Sequence, residues 1–332
     1  MIAQLEPEFL RARPWKIWPR MIAYLLFEGR PLTTRGRWIN PLVFASYRAI
    51  GMIPLPRPRQ PPVFIMGVGR SGTTVLGSIL ALHRDVGYLN EPKAMWQAAL
   101  GNDDLIGSYS KTKGQYRMTA SDLSRSKMRQ LHRFHRAFLA LSGSKRVVDK
   151  YPELLFRDSL LDKAFPQASK IVIIRNGADI CRSIEAWSSR NGTTQADWWG
   201  RNGQKWELLV DQLIRPDPHF APLLPVLGQL TNQIDRAAVE WIASMRQAQD
   251  LQRNAAGDLH FIRYEDLVSD PAHHMQGILN FCGLSDDPVV IRYAKSTLRA
   301  RSRYGAPNLH PVVQPLFEKA MADLGYSSEP AA

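Results

Sequence analysis

The sequence predicts an α/β protein built on a parallel sheet flanked by helices, and three observations carry that prediction. Short apolar runs bounded by Pro or Gly alternate with stretches of helical period. Two of the runs, PPVFIMG (61–67) and SKIVIIRN (169–176), are apolar at consecutive positions, as strands covered on both faces are. The first run leads through the glycine-rich GVGRSGTT (67–74) directly into a helical pattern, a strand–loop–helix order.

The elements follow in sequence. TTVLGSILALH (73–83) carries apolar residues at 75, 76, 79, 80 and 82, one helical face. VGYLN (86–90) reads as the next strand and EPKAMWQAAL (91–100) as the start of another helix. Residues 101–118 are polar and without period, the pattern of a surface loop, and 120–142 form a basic amphipathic helix. KRVVDK (145–150) is a strand and YPELLFRDSLLDKAFP a helix ending before Pro166. GADICRSIEAWSSR follows the 169–176 strand as a helix, and residues 187–227 are irregular and hold Trp187, Trp198, Trp199 and Trp206. A long helix at about 228–254, a strand at 258–264, and a helix capped by Asp270 and Pro271 and stopped by Gly283 complete the alternation. A basic loop-like tail (296–308) and a last helix from about Pro315 to Leu324 close the chain.

Length and composition bound the function. The 332 residues suffice for a sizeable core, and 45% hydrophobic with 22% charged residues is a globular balance. A net charge of +13 calls for a polyanionic partner: nucleotide, nucleic acid or membrane surface. Two cysteines, Cys181 and Cys282, exclude a disulfide framework and fit a reducing, cytoplasmic setting. Residues 1–60 form a separate basic extension, ten Lys/Arg against three Glu, with Trp15, Trp18 and Trp38 interleaved. It reads either as a helical flap on the body or as peripheral contact with the inner face of a membrane. Its beginning carries no secretory signal pattern, and MIAYLLF (21–27) is far short of the roughly 20 residues that span a bilayer.

The loop GVGRSGTT has the glycine spacing of a nucleotide-binding P-loop but Thr73 where the lysine belongs. Backbone N–H groups at a helix start, the hydroxyls of Ser71, Thr73 and Thr74, and the Arg70 cation still make a phosphate cradle around Gly72. Without the lysine, and with Arg175 rather than an acid ending the second buried strand, the loop does not suit a Mg²⁺-chelated polyphosphate. Arg175 stands at the carboxyl end of a parallel strand, and Ser183 lies two turns into the next helix, a second anion site.

GVGRSGTTVLGSILALHRDV…NEP resembles the 5′-phosphosulfate-binding loop of sulfotransferases that use 3′-phosphoadenylyl sulfate (PAPS), and KIVIIRNGADICRS resembles their 3′-phosphate-binding strand and helix. DKYPE (149–153) and IRYEDLVSDP (262–271) are similar to further landmarks in the same order, so the resemblance spans about residues 61–305. It lies nearest the carbohydrate and tyrosyl-protein enzymes. It implies a three-layer P-loop NTPase-like fold for residues 61–332, PAPS as donor, PAP as product and no metal, with an acceptor-side insert at about 187–227. Carried onto this chain, Arg70 to Thr74 would hold the 5′-phosphosulfate and Arg175 and Ser183 the 3′-phosphate. Tyr264 would lie near the nucleotide, and Arg299, Arg301 and Arg303 would fold over the 3′-phosphate. The family often has an acid and a second cation after the strand-end Arg. Here Asn176 and Ala178 follow, and Arg182 is the substitute cation.

Sulfuryl transfer needs a base for the acceptor and a cation for the leaving phosphate. From spacing alone Glu91 is equally a base or a cap of the helix opened by Pro92; the resemblance favours the base, with His83 and Asp85 behind it. Lys150, ending its strand, is the cation for the leaving group, or else a surface lysine paired with Asp149 or Glu153. The tryptophans, Trp96 included, either stack on an acceptor or pack in the core, and Asp197 and Arg201 stand beside them. The acceptor is expected to be a hydroxyl of a carbohydrate, glycolipid or other metabolite. A P-loop kinase with an atypical loop and a non-catalytic basic membrane- or nucleic-acid-binding protein are the alternatives, the latter without any DNA- or RNA-reading motif.

Overall fold

Five strands, β1 (Val63–Gly67), β2 (Val86–Asn90), β3 (Arg146–Lys150), β4 (Ser169–Ile174) and β5 (Leu259–Arg263), form one parallel sheet in the order β2-β3-β1-β4-β5. The computed structural model describes residues 2–50, 53, 55–56, 58–191, 198–254, 257–299, 304–305 and 307–326. The glycine-rich loop leaves the central strand, where Val63 pairs with Val148 on one side and Ser169 on the other. The five strands lie where the apolar runs place them.

Helices α1 (Pro7–Ala12), α2 (Ile17–Ile22) and α3 (Asn40–Ile50) precede the sheet; α4 (Thr73–Ala81), α5 (Lys93–Leu100), α6 (Arg125–Ser142), α7 (Asp158–Ala164) and α8 (Gly177–Asn191) connect its strands. They are followed by α9 (Gln204–Leu209), α10 (Gln233–Asn254), α11 (Tyr264–Ser269), α12 (Pro271–Phe281), α13 (Pro288–Thr297) and α14 (Val313–Asp323). Because side chains alternate along a strand, each strand feeds two cores. Val63, Ile65, Ile171 and Ile173 pack with Leu76 and Ile79 of α4 and Ile278 and Leu279 of α12. Phe64, Met66 and Val172 point the other way, into a core with Trp96, Phe138 and Trp241. Each such side chain contributes about 1.5–3 kcal/mol by burial, which makes the sheet a rigid base for the loops at its carboxyl edge.

Three basic residues of the N-terminal segment fasten it to the body, two of them to the sheet. The outward backbone groups of edge strand β2 meet side chains: Lys16 Nζ donates to Val86 O at 2.7 Å and Arg20 Nη1 to Tyr88 O at 2.6 Å, while Glu28 Oε1 accepts from Asn90 N at 2.9 Å. Arg13 pairs with Asp287 at 2.7 Å. The segment thereby covers an edge that would otherwise template pairing with another chain.

Residues 101–118 are not the surface loop their polarity suggests. Asp103 and Arg157, both fully buried, form an ion pair to which Tyr151 Oη adds a 3.1 Å hydrogen bond. Asp104 accepts from three successive backbone N–H groups, those of Ser108, Tyr109 and Ser110. Polar composition here serves internal pairing, because irregular backbone can be buried only when its donors are satisfied.

Candidate active site

The loop after β1 closes over a small interior. Ser71 N donates to Val68 O at 3.3 Å, and the Ser71 hydroxyl is buried without a hydrogen-bond partner. An orphaned buried hydroxyl at a strand-to-helix turn fits an anionic oxygen. Gly72, at φ 103°, starts α4 so tightly against Tyr264 that a Cβ would lie 2.4 Å from its ring.

The second predicted anion site meets the first. Arg70 Nε donates to Ser183 Oγ at 2.9 Å, and Arg175 Nη1 to Arg70 O at 3.2 Å. The Arg175 guanidinium lies 4.4 Å from the centroid of the Tyr264 ring, and its Nη2 pairs with Asp179 at 3.1 Å. Asn176, the departure noted in the sequence, caps α8 by accepting from Ala178 N at 2.9 Å. Arg182 pairs with Glu185 instead, on the helix surface.

Glu91 and Lys150 come together from the ends of β2 and β3. Lys150 Nζ, almost fully buried, donates to Glu91 Oε1 at 2.5 Å. The carboxylate therefore pairs across the sheet edge, and no side chain caps α5. Burial would raise the Glu91 pKa, but attraction to Lys150 and Lys93 outweighs it and holds the carboxyl at about 2. Arg70 and Glu91 are non-glycine residues with left-handed backbone, φ 72° and 50°, a strain retained where surroundings fix a side chain's aim.

One cavity of about 530 Å³ connects these groups. Arg70, Gly72, Thr73, Thr74, Arg175, Ser183 and Tyr264 line it together with Glu91, whereas the buried Ser71 and Lys150 do not reach its wall. Its remaining wall holds residues that sequence reasoning missed. Lys93 bridges Glu91 at 3.5 Å and Glu153 at 3.2 Å, and Lys205 joins Glu153 at 3.7 Å to Glu240 at 2.6 Å. The Lys93 pKa is raised: burial opposes its charge, but Glu153 and Glu91 more than offset that. Tyr24, Arg30 and Thr34 of the N-terminal segment complete the enclosure. The NEPK and DKYPE stretches held the signal for Lys93 and Glu153; nothing in the sequence ties residues 24–34 to the site.

The tryptophans divide. Trp96 and Trp199 are fully buried and Trp206 nearly so, whereas Trp187 and Trp198 line the cavity with rings 5.5 Å apart. Trp198 lies against Gly69, where a Cβ would sit 2.4 Å from the indole, and donates to Glu240 at 2.7 Å. Arg299 is exposed, with Nε donating to Ser296 O at 3.3 Å, and does not line the cavity. Arg301, Arg303 and Asp197 lie outside the described residues. His83 is buried against Ser285 O at 2.9 Å and Asp85 pairs with Lys145 at 2.7 Å, both away from the cavity wall, as is Arg201.

The model of the sulfotransferase family matches residues 61–288, from the first residues before β1 to the start of α13. The chain belongs to the sulfotransferase family. Membership sets aside the kinase and non-catalytic alternatives. This sulfotransferase is 23% identical over 244 residues to the nodulation protein NoeE of Sinorhizobium fredii, covering 70% of this chain and 51% of that protein. The chain thus spans about half the length of the curated relative it matches. Among solved structures it is similar to the sulfotransferase STF9 from Mycobacterium avium, with 14% identity, a TM-score of 0.49, and coverage of 99% of this chain and 90% of that one. It is also similar to the sulfotransferase domain from the curacin biosynthetic pathway, with 15% identity, a TM-score of 0.48, and coverage of 82% and 99%.

Proposed function

We propose that this sulfotransferase moves a sulfuryl group from PAPS to an acceptor hydroxyl, most readily of a carbohydrate, glycolipid or other metabolite. The observation that carries the reading is the Arg70–Ser183 hydrogen bond of 2.9 Å, which joins the loop after β1 to α8 in the cavity that Glu91 also lines. A nucleotide with phosphates at both its 5′ and 3′ positions matches two adjoining cation-bearing sites, and Thr73 in place of lysine matches a donor without a Mg²⁺-bound triphosphate.

In this reading the loop N–H groups, Arg70, Thr73 and Thr74 bind the phosphosulfate end, and Arg175 and Ser183 the 3′-phosphate. Glu91 takes the acceptor proton as the hydroxyl oxygen bonds to sulfur. The bond from sulfur to the bridging phosphate oxygen breaks, and that oxygen keeps the electron pair. Lys150, released from Glu91, stabilises the charge it carries, leaving sulfated acceptor and PAP. This exchange makes one lysine serve two states: it holds Glu91 ionised beforehand, and leaving it restores basicity to the carboxylate. Trp187 and Trp198 offer an aromatic wall for an acceptor, and Lys93 and Lys205 beside it are paired with Glu153 and Glu240, which suits a hydroxylated molecule.

The two cysteines, free and buried, accord with a cytoplasmic setting where this donor is made. Among the described residues no helix is long and apolar enough to cross a membrane. Incubation with radiolabelled PAPS and a panel of sugars, glycolipids and phenols tests the function. Label transferred without added metal is the expected result; label transferred only from γ-labelled ATP would overturn it.

A further inference from the structure

Large apolar side chains exposed to solvent concentrate in one part of this molecule. Of nine such residues among those described, Trp15, Ile17, Trp18, Trp38, Leu42 and Ile53 belong to the N-terminal segment, at 41–77% exposure. A further one, Leu141 at the end of α6, accepts at its carbonyl from Trp18 Nε1 at 3.0 Å. The indole N–H is thereby satisfied while the ring stays 61% exposed. Trp38 is 77% exposed. A monomer scatters exposed apolar residues singly, so a concentration of this kind marks a contact surface.

Charge identifies what the surface meets. Between positions 9 and 50 the sequence has one acid, Glu28, and it is buried in its pair with Arg20. Arg35, Arg37 and Arg48 are exposed. Helix α6 lies alongside: Tyr47 of α3 packs on Phe134 with ring centroids 4.8 Å apart, and Phe27 on Phe138 at 5.3 Å. From 123 to 148 the sequence contains no acid, and Arg125, Arg129 and Arg133, spaced by one turn, are exposed. Interleaved exposed Trp and Arg without acids match an anionic lipid headgroup layer, where indoles sit at the interface and arginines meet phosphates.

We infer that the face formed by α2, α3, the turn at 35–39 and α6 docks on an anionic bilayer surface. The chain between Trp18 and Trp38 supplies Tyr24, Arg30 and Thr34 to the cavity wall, so a docked bilayer lies next to the segment that encloses the candidate active site. The docking itself needs neither donor nor acceptor and stands apart from the transferase reading.

The test is co-sedimentation of the full chain with phosphatidylcholine vesicles, with and without phosphatidylglycerol, at low and high salt. Binding to the phosphatidylglycerol vesicles, weakened by salt and accompanied by a blue shift of tryptophan emission, is the expected result. Replacing Arg35 and Arg37 by Ser together lowers partitioning about thirty-fold, at about five-fold for each basic residue. The Trp18→Ser, Trp38→Ser pair weakens binding while leaving its salt dependence. Circular dichroism and binding of adenosine 3′,5′-bisphosphate are unchanged in both, since these side chains are exposed and outside the cavity wall. Equal binding to vesicles of both kinds, no binding, or binding indifferent to the variants overturns the inference. So does a concentration-dependent dimer abolished by Trp38→Ser, which would make a second copy the occupant.

Discussion

Arg70 and Ser183, 113 positions apart in the chain, are joined by a 2.9 Å hydrogen bond between the loop after β1 and the helix after β4. On the proposed reading, the two touching elements bind the two phosphates of one ligand. Ser183→Ala removes one hydroxyl from the shared wall and leaves the Arg70 guanidinium in place. Affinity for adenosine 3′,5′-bisphosphate falls about ten- to a hundred-fold by calorimetry, the worth of one hydrogen bond to an ionised group, while affinity for adenosine 5′-phosphate changes little.

Glu91→Gln keeps the shape of the site and removes the proposed base. The turnover number falls about 10²- to 10⁴-fold while bisphosphate affinity stays close to wild type. The variant also leaves buried Lys150 facing a neutral amide, so its thermal midpoint drops as well. Steady-state rates set beside calorimetry separate the two effects. A loss of binding equal to the loss of rate would make Glu91 a scaffold residue.

Lys150 sets the pH behaviour of Glu91. With the pair intact the carboxyl titrates at about 2 against an ordinary 4.5. A depressed carboxyl pKa contributes stability that is present above 4.5 and is lost as pH falls toward 2. In Lys150→Met burial acts with less opposition, so the carboxyl titrates higher. The variant then shows an acid limb in its residual kcat/KM at a pH above that of wild type. Side-chain-labelled NMR of Glu91 follows the same shift without turnover. An unmoved titration would show that Lys150 does not govern the base.

Gly72 sits at φ 103° with Tyr264 where a side chain would be. Gly72→Ala forces both a left-handed alanine and a collision with the ring. The bisphosphate affinity falls at least tenfold and the thermal midpoint decreases. Gly101→Ala, also at positive φ but with open space around the new Cβ, carries the backbone strain alone and keeps nucleotide binding. Measuring both variants distinguishes loop geometry from general destabilisation.

The sheet and the phosphate loop were legible because they are local: buried parallel strands need consecutive apolar residues, and the loop needs glycines at fixed offsets. Arg70, Arg175, Ser183, Glu91 and Lys150 could each be named, but the Glu91–Lys150 ion pair joins residues 59 positions apart, and only the β2–β3 register reveals it. The Lys93–Glu153–Lys205–Glu240 series has no period, since its members come from four separate elements. Residues 101–118 misled because composition reports polarity and not pairing: Asp103 is buried by Arg157, a partner from another part of the chain. The basic extension packs on the body, one of its two readings, but composition did not tell that Lys16 and Arg20 turn inward to the open edge of β2.

On the proposed reading, one nucleotide spans the loop of Arg70 and the strand end of Arg175. Calorimetric titration with adenosine 3′,5′-bisphosphate, and separately with ATP and Mg²⁺, on wild type and Arg175→Ala tests it most directly. Metal-independent binding of the bisphosphate is expected, weakened about ten- to a hundred-fold in the variant by loss of a charge-assisted contact. Binding of ATP with Mg²⁺ in place of the bisphosphate, or bisphosphate binding indifferent to Arg175→Ala, would contradict it.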